Sequence, residues 1–144
     1  MSALTSMPAH VVLPLAAYGL EELRKAAERA DQRWIHADCS HASTRDEVLD
    51  AIAKAAGFPD WFGRNLDALF DCLTDLEPDP SASRPGIVVV LENLPESAAF
   101  DSEARHALID VFRDAADEFY DRGIAFRVFY SVGQQAEASR TGSH

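Results

Sequence analysis

The sequence predicts an α/β fold in which helices pack against a small parallel β-sheet of three strands. Residues 87–91, IVVVL, form an almost unbroken β-branched run, which is typical of a strand covered on both faces in a parallel sheet. Residues 124–130 form another strand-like run, and a long amphipathic helical pattern lies between the two. Alternating strands and helices indicate right-handed βαβ crossovers, and therefore parallel pairing.

The composition fits one folded domain with an acidic surface. The chain has 144 residues, of which 47% are hydrophobic, and this excludes wholesale disorder. Its formal net charge of -11 argues against nucleic acid as a partner, because contacts to phosphates need basic side chains. We therefore expect a basic protein partner.

The termini and the cysteines favour a cytoplasmic protein without a membrane partner. The first residues lack the charged and apolar regions of a signal peptide, and no window approaches the roughly 18 apolar residues that span a membrane. The two cysteines, Cys39 and Cys72, fit free thiols in a reducing compartment.

Residues 1–32 form an N-terminal extension that could add an edge strand and a covering helix, or mediate self-association. Residues 11–15 read VVLPL, and Pro14 restricts a strand there to a sheet edge. From Leu20, apolar residues recur at helical spacing with charged residues between them, which predicts an amphipathic helix.

Residues 33–38, RWIHAD, predict a short strand, and a helix follows it. Thr44 and Glu47 form the pattern of a capping box at the start of this helix. Gly57 is expected to end it, because glycine accepts the left-handed conformation that is common after a helix.

Asn65 is a favourable N-cap for a second helix over residues 66–76, which carries an acidic stripe. Asp67, Asp71 and Asp75 follow one another at intervals of four residues, so we expect them to share the exposed face. Like charges at this spacing repel by about 0.2–0.5 kcal/mol per pair. The helix dipole favours Asp67 but opposes Asp75, so local stability does not explain the stripe.

The second half of the chain alternates strand and helix. Residues 77–86 contain three prolines and predict a surface linker before the IVVVL strand. A long helix is predicted over about 102–122, with Gly123 just after its end and the strand 124–130 next. The tail, residues 133–144, is small and polar, so we expect it to be disordered.

Three interpretations of the acidic stripe are open. It is a solvated face of an acidic protein, a hard-cation site such as that of a metal-dependent hydrolase, or a contact surface for a basic partner. Residues spread along one helix converge poorly on a single ion, which weakens the second. Trp61 and Phe62, beside this helix, either pack in the core or act as aromatic anchors for a partner.

The sequence contains no convincing catalytic set, so we expect neither enzymatic activity nor a cofactor. His36, Cys39 and His41 have a ligand-like spacing, but no fourth ligand follows at a recognised distance. Neither cysteine has the basic surroundings of a thiolate nucleophile. Phosphate-binding loops and the GxSxG and HExxH motifs are absent from the sequence.

Residues 61–76, WFGRNLDALFDCLTDL, resemble the inhibitory helix of the barstar family, the intracellular inhibitors of barnase-type ribonucleases. The family's stretch reads GENLDALWDCLT after two tyrosines. A weaker similarity extends over about residues 33–132, including the helix that contains VFRDA. The resemblance therefore implies a barstar-like domain over 33–132 that blocks a basic ribonuclease with its acidic helix.

The resemblance also implies which residues bind the partner. Asp71 would lie where an RNA phosphate binds and accept hydrogen bonds from the enzyme's arginine and histidine side chains. Asp67 would pair with a basic loop, and Asp114 would add a carboxylate from the long helix. The full implied set is Trp61, Asn65, Asp67, Phe70, Asp71, Asp75, Leu76 and Asp114.

Three residues depart from the family pattern, since Arg64 replaces an acidic residue, Asp75 a glycine and Leu76 a tryptophan. These differences favour a cognate enzyme other than barnase, such as a secreted toxin ribonuclease for which this chain is the immunity protein. The alternative is an acidic interaction module with this fold that binds a basic partner other than a ribonuclease. Inhibition of RNA cleavage distinguishes the two.

Overall fold

The computed structural model describes residues 8–133, which form four β-strands, four α-helices and one short 3₁₀-helix. In chain order the elements are β1 (His10–Pro14), the 3₁₀-helix (Leu15–Ala17), α1 (Leu20–Arg29), β2 (Arg33–Asp38), α2 (Arg45–Ala56), α3 (Leu66–Thr74), β3 (Gly86–Leu94), α4 (Ser102–Asp121) and β4 (Ala125–Val132).

The four strands form one parallel sheet in the order β1-β4-β3-β2. This pairing confirms the predicted α/β class with a parallel sheet. The sheet has one strand more than the three predicted, because β1 pairs with β4 along one edge. Pro14 ends this edge strand, at a position where a missing backbone N–H is tolerated.

Helices cover both faces of the sheet. On β3, Ile87, Val89 and Leu91 belong to the larger core cluster, which includes buried residues of α2, α3 and α4. Val88 and Val90 point to the other face and belong to a smaller cluster with α1. The IVVVL run is therefore buried on both sides, as its composition predicts.

The predicted helix signals are confirmed. The Thr44 side chain accepts a hydrogen bond from the Glu47 N–H at 3.2 Å, and the Glu47 carboxylate accepts one from the Thr44 N–H at 3.3 Å. Gly57 follows α2 in the left-handed conformation, with φ 73°. The Asn65 side-chain oxygen accepts from the Ala68 N–H at 2.8 Å and caps α3.

Some element ends differ from the prediction. α3 ends at Thr74, and Asp75 is its C-cap instead of lying within the helix. A contact from a distant segment marks this end, because the Arg122 guanidinium donates to the Thr74 carbonyl oxygen at 2.8 Å. β3 continues to Leu94 past an irregularity at which Asn93 has a φ of 62°.

The N-terminal extension adds β1 to the sheet and places α1 against one face of it. The predicted boundary after residue 32 falls between α1 and β2. The predicted disordered tail, 133–144, lies outside the described residues apart from Gly133. Within residues 8–133, the helices are too short or too polar to cross a lipid bilayer.

Candidate functional site

α3 presents acidic residues to solvent because its other side is anchored in the core. Leu69, Cys72 and Leu73 are buried, and the helix packs against α4. Asp67 and Asp71 lie on the opposite side and are exposed. The N-cap at the start of α3 fixes the first turn, so both carboxylates are held on a well-defined backbone.

A shallow depression of about 560 Å³ lies between α3 and α4, and three carboxylates of the predicted partner-binding set line it together. Asp67 and Asp71 line it from α3, and Asp114 lines it from α4. Its other lining residues are apolar: Leu66, Phe70 and Val111. Among the described residues, no lysine, arginine or histidine lines this depression. The surface therefore combines apolar groups with three acidic ones.

None of these three carboxylates forms an ion pair with another residue in the part of the chain that the structure describes. Other exposed aspartates differ in this respect: Asp110 pairs with Arg113 at 3.1 Å, and Asp50 pairs with Arg64 at 3.3 Å. Carboxylates without a neighbouring cation produce a negative potential that attracts cationic groups. The depression is therefore suited to a cationic surface.

Asp75 is exposed, as predicted, but it does not line this depression. Each step of four residues rotates a side chain by about 40° around a helix, which places Asp75 about 80° from Asp67. Asp75 lines a second depression, of about 210 Å³, together with Trp61. Trp61 is 71% exposed and contributes a large aromatic surface there. The role of Asp75 in binding a partner stays a prediction.

Leu76 is nearly buried, although it was predicted to contact the partner. It is only 9% exposed and belongs to the larger core cluster. It also lines the depression that Trp61 and Asp75 share. Its contact with a partner stays a prediction. Phe70 is half-buried against the same core, and Asn65 is exposed while its side-chain oxygen caps α3.

Val111 lines this depression and also packs, partly buried, against the larger core cluster; sequence analysis did not single it out as part of the surface. Val111 lies three residues before Asp114, so helical spacing could have placed both on one side of α4. Which side of α4 meets α3 depends on the packing of the two helices, and local spacing in the sequence does not reveal it.

The two thiols offer no nucleophile. Burial raises the pKa of the Cys39 thiol to about 12, and the charge of Asp38 adds to the effect. Burial also raises the pKa of Cys72, and the charges of Asp75 and Asp71 raise it further. Both thiols are therefore protonated near neutral pH.

The ligand-like trio His36, Cys39 and His41 forms no metal cluster in the described structure. His36 is engaged by Glu92, with 2.7 Å between Nε2 and the carboxylate oxygen. Within residues 8–133, no three histidine, cysteine, aspartate or glutamate side chains are arranged to hold a metal ion.

Comparisons with known proteins identify the family of this chain. Residues 32–131 match the model of the family described as Barstar (barnase inhibitor). The chain is 37% identical over 76 residues to the Bacillus subtilis (strain 168) protein named "Putative ribonuclease inhibitor YrdF". That alignment spans 52% of this chain and 77% of the relative. The resemblance predicted from the α3 motif is confirmed, and this chain belongs to the barstar family.

Proposed function

We propose that the protein inhibits a basic ribonuclease by covering its active site with the acidic surface of α3 and α4. The observation that carries this proposal is the depression that Asp67, Asp71 and Asp114 line together, with no lysine, arginine or histidine of residues 8–133 among its lining. The family description, barnase inhibitor, supports the same function. The chain acts by binding, in the cytoplasm, and has no catalytic activity or cofactor of its own.

The physical basis is competition for the groups that hold RNA. A ribonuclease active site must be cationic to bind phosphates. A helix that presents fixed carboxylates occupies those cationic groups, and complementary charge accelerates the encounter. The formal net charge of -11 adds a long-range attraction towards a basic enzyme.

Asp71 is the main anchor in this proposal. It lies in the middle of α3, and it lines the depression together with Phe70 and Asp114. In the complex it accepts hydrogen bonds from the arginine and histidine side chains that otherwise hold an RNA phosphate. Truncating such a carboxylate leaves the enzyme's cations buried and unpaired, which makes it the costliest single change.

The residues around this centre have supporting roles. Trp61 offers an exposed ring, and aromatic side chains contribute much of the binding energy when an interface buries them. Asp75 adds a carboxylate beside Trp61. Phe70 contributes apolar contact next to the acidic groups, and Asn65 keeps the first turn with Asp67 in place.

The cognate enzyme in this proposal is a barnase-type ribonuclease other than barnase, such as a toxin domain secreted against competitors. Arg64, at a position that is acidic in the family, forms an ion pair with Asp50 at 3.3 Å. Asp75 adds a side chain where the family has glycine. Both differences change charge and shape beside the contact surface, and specificity between related partners depends on such differences.

Titration of RNA cleavage tests the proposal. Barnase-type ribonucleases are assayed with the parent protein, Asp71→Ala and Glu28→Ala. Glu28 is exposed on α1, which covers the opposite face of the sheet, so its variant has the same change in net charge. We expect stoichiometric inhibition by the parent and by Glu28→Ala. Asp71→Ala should inhibit roughly a hundredfold less, which corresponds to about 3 kcal/mol for an interrupted buried charge pair.

Thermal unfolding separates this loss from a folding defect. Asp71→Ala relieves repulsion with Asp67 and Asp75, so the variant should be at least as stable as the parent. Equal inhibition by the variant and the parent would overturn the role of α3. Failure to inhibit any barnase-type ribonuclease would overturn the ribonuclease function and favour an acidic module for another basic partner.

A further inference from the structure

An open cavity of about 700 Å³ lies at the amino ends of the parallel strands. Its lining includes Gln32 and Pro85, which come just before β2 and β3, and Ala125, which begins β4. None of its lining residues lines the depression between α3 and α4. Three of them are arginines, an unusual concentration of positive charge in an acidic chain: Arg29, Arg84 and Arg127.

These three arginines have no acidic partner within residues 8–133. Arg127 is half-buried and donates to two neutral groups, the Pro8 carbonyl oxygen at 3.2 Å and the Gln32 side-chain oxygen at 3.4 Å. Burial lowers the pKa of Arg127, because the guanidinium has lost water without gaining a compensating anion. An anion in the cavity would supply that compensation.

Gln32 and Gly86 position the Arg127 guanidinium. The Gln32 side chain crosses the start of β3 in the space that a Cβ at Gly86 would occupy. Its amide nitrogen donates to the Arg84 carbonyl oxygen at 3.0 Å, and its oxygen accepts from Arg127. Because Gly86 has no side chain, the Gln32 side chain can link the loop before β3 to the Arg127 guanidinium on β4.

Stabilisation of helix ends does not account for this cluster. α1 and α4 both end near the cavity, and cations are favourable at helix C-termini. The backbone already satisfies carbonyls at these ends, since Ala27 accepts from the Gln32 N–H and Phe119 accepts from the Ile124 N–H, each at 2.9 Å. Two of the three arginines, moreover, lie on β4 and on the loop before β3, outside both helices.

We propose that this cavity binds a phosphate group, either free or carried by a small ester such as a mononucleotide. Guanidinium groups present paired N–H donors that match phosphate oxygens. A concave site of this volume is in the range of small-molecule pockets. Tyr120 lines the cavity and is 56% exposed, and although its ring lies 4.3 Å from the His10 ring between centroids, its exposed part offers a surface on which a base can stack.

Asp31 provides a test in which binding should improve. It is the one acidic residue among the described residues that line the cavity, and its charge opposes a bound anion. Asp31 has a φ of 55°, a conformation that asparagine also tolerates. Asp31→Asn should therefore tighten phosphate binding while the backbone keeps its conformation, and a gain in affinity cannot arise from unfolding.

Isothermal titration calorimetry of the full chain, at constant ionic strength, tests the proposal with inorganic phosphate and adenosine monophosphate. The proteins compared are the parent, Asp31→Asn, Arg84→Glu and Arg45→Glu. Arg45 is exposed on α2 and does not line the cavity, so it controls for net charge. We expect saturable binding by the parent, about tenfold weaker binding by Arg84→Glu, unchanged binding by Arg45→Glu and tighter binding by Asp31→Asn.

Tighter binding of the nucleotide than of phosphate would identify an ester as the ligand, and Tyr120→Ala should then remove only that difference. Equal binding of both probes would identify the phosphate group itself. The proposal fails if the parent shows no saturable binding at millimolar concentrations, or if Arg84→Glu and Arg45→Glu lose binding equally. Ribonuclease inhibition by these variants should match the parent, so the two proposals fail independently.

Discussion

α2 and α3 contribute to the same core cluster, yet their charges differ at the C-terminal end. In α2, Asp46 and Glu47 lie in the first turn and Lys54 lies in the last, as the helix dipole prefers. In α3, Asp67 is favourable in the first turn, but no basic residue lies in the last turn, and Asp75 is the C-cap. The charges of α2 stabilise the helix that carries them, whereas Asp75 opposes the dipole of α3 and the aspartates of α3 repel one another. A charge that opposes the helix dipole indicates a surface that is used for something other than folding.

The C-terminal ends of both helices receive a hydrogen bond from an arginine that is distant in the sequence. The Ala56 carbonyl oxygen at the end of α2 accepts from Arg33 of β2 at 3.3 Å. The Thr74 carbonyl oxygen at the end of α3 accepts from Arg122, which follows α4, at 2.8 Å. This bond ties the end of α3 to the end of α4, and the packing of these two helices places Asp114 beside the carboxylates of α3.

Thr44→Ala is expected to give the largest change in stability among the predictions that test this comparison. It removes the side-chain acceptor for the Glu47 N–H, and losing such a cap lowers the free energy of unfolding by about 1 kcal/mol. Urea unfolding measures the loss, and inhibition per folded molecule should stay unchanged. If the fully folded Thr44→Ala variant inhibited more weakly than the parent, α2 would belong to the binding surface and the contrast with α3 would disappear.

Asp75→Asn should have a smaller effect of the opposite sign. It removes a negative charge from the C-terminal end of α3 and from the neighbourhood of Asp71, so the free energy of unfolding should rise by about 0.5 kcal/mol at low salt. Asp46→Asn is the mirror control in the first turn of α2 and should lower that energy by a similar amount. High salt should reduce both effects. Destabilisation by Asp75→Asn would show that this carboxylate supports the free protein.

Much of the fold could be predicted because its signals act over short distances. The IVVVL run, the helical spacing and the caps at Thr44 and Gly57 each involve only neighbouring residues. The end of α3 could not be predicted in this way, because the donor to Thr74 is Arg122, which lies 48 residues further along the chain. The edge strand β1 was left open, since a short run containing Pro14 is ambiguous until its pairing with β4 is known.

The candidate site was less predictable than the fold. The spacing of the acidic residues on α3 was visible, and the family resemblance added Asp114. Whether Asp114 lies beside Asp67 and Asp71, however, depends on how α3 and α4 pack. The near-complete burial of Leu76 was not predicted, because an apolar residue after a helix does not reveal which way the chain turns. The arginine-lined cavity was missed, since Arg29, Arg84 and Arg127 are far apart in a sequence whose net charge is negative.

The smallest expected effect is the pH dependence of the α2 capping box. Hydrogen bonds from the backbone and side chain of Ser43, and from Thr44, hold the pKa of the Glu47 carboxyl below its usual value of 4.5. Because the folded pKa is the lower one, the carboxylate contributes its full stability above the unfolded pKa and loses it as pH falls through the folded pKa. The difference in free energy of unfolding between the parent and Glu47→Ala should thus be constant near neutral pH and shrink below about pH 4.5.

Chemical unfolding of the two proteins from neutral to acidic pH measures that difference directly. A difference that persists undiminished at about pH 3 would show that the contribution of Glu47 does not depend on its charge. Such a result would remove the main physical contrast between the helices, because α2 would no longer differ from α3 in using an ionised carboxylate for its own stability. A difference that shrinks in acid would sharpen the contrast, since α2 would then use its carboxylate locally, whereas Asp67 and Asp71 of α3 form no ion pair within residues 8–133.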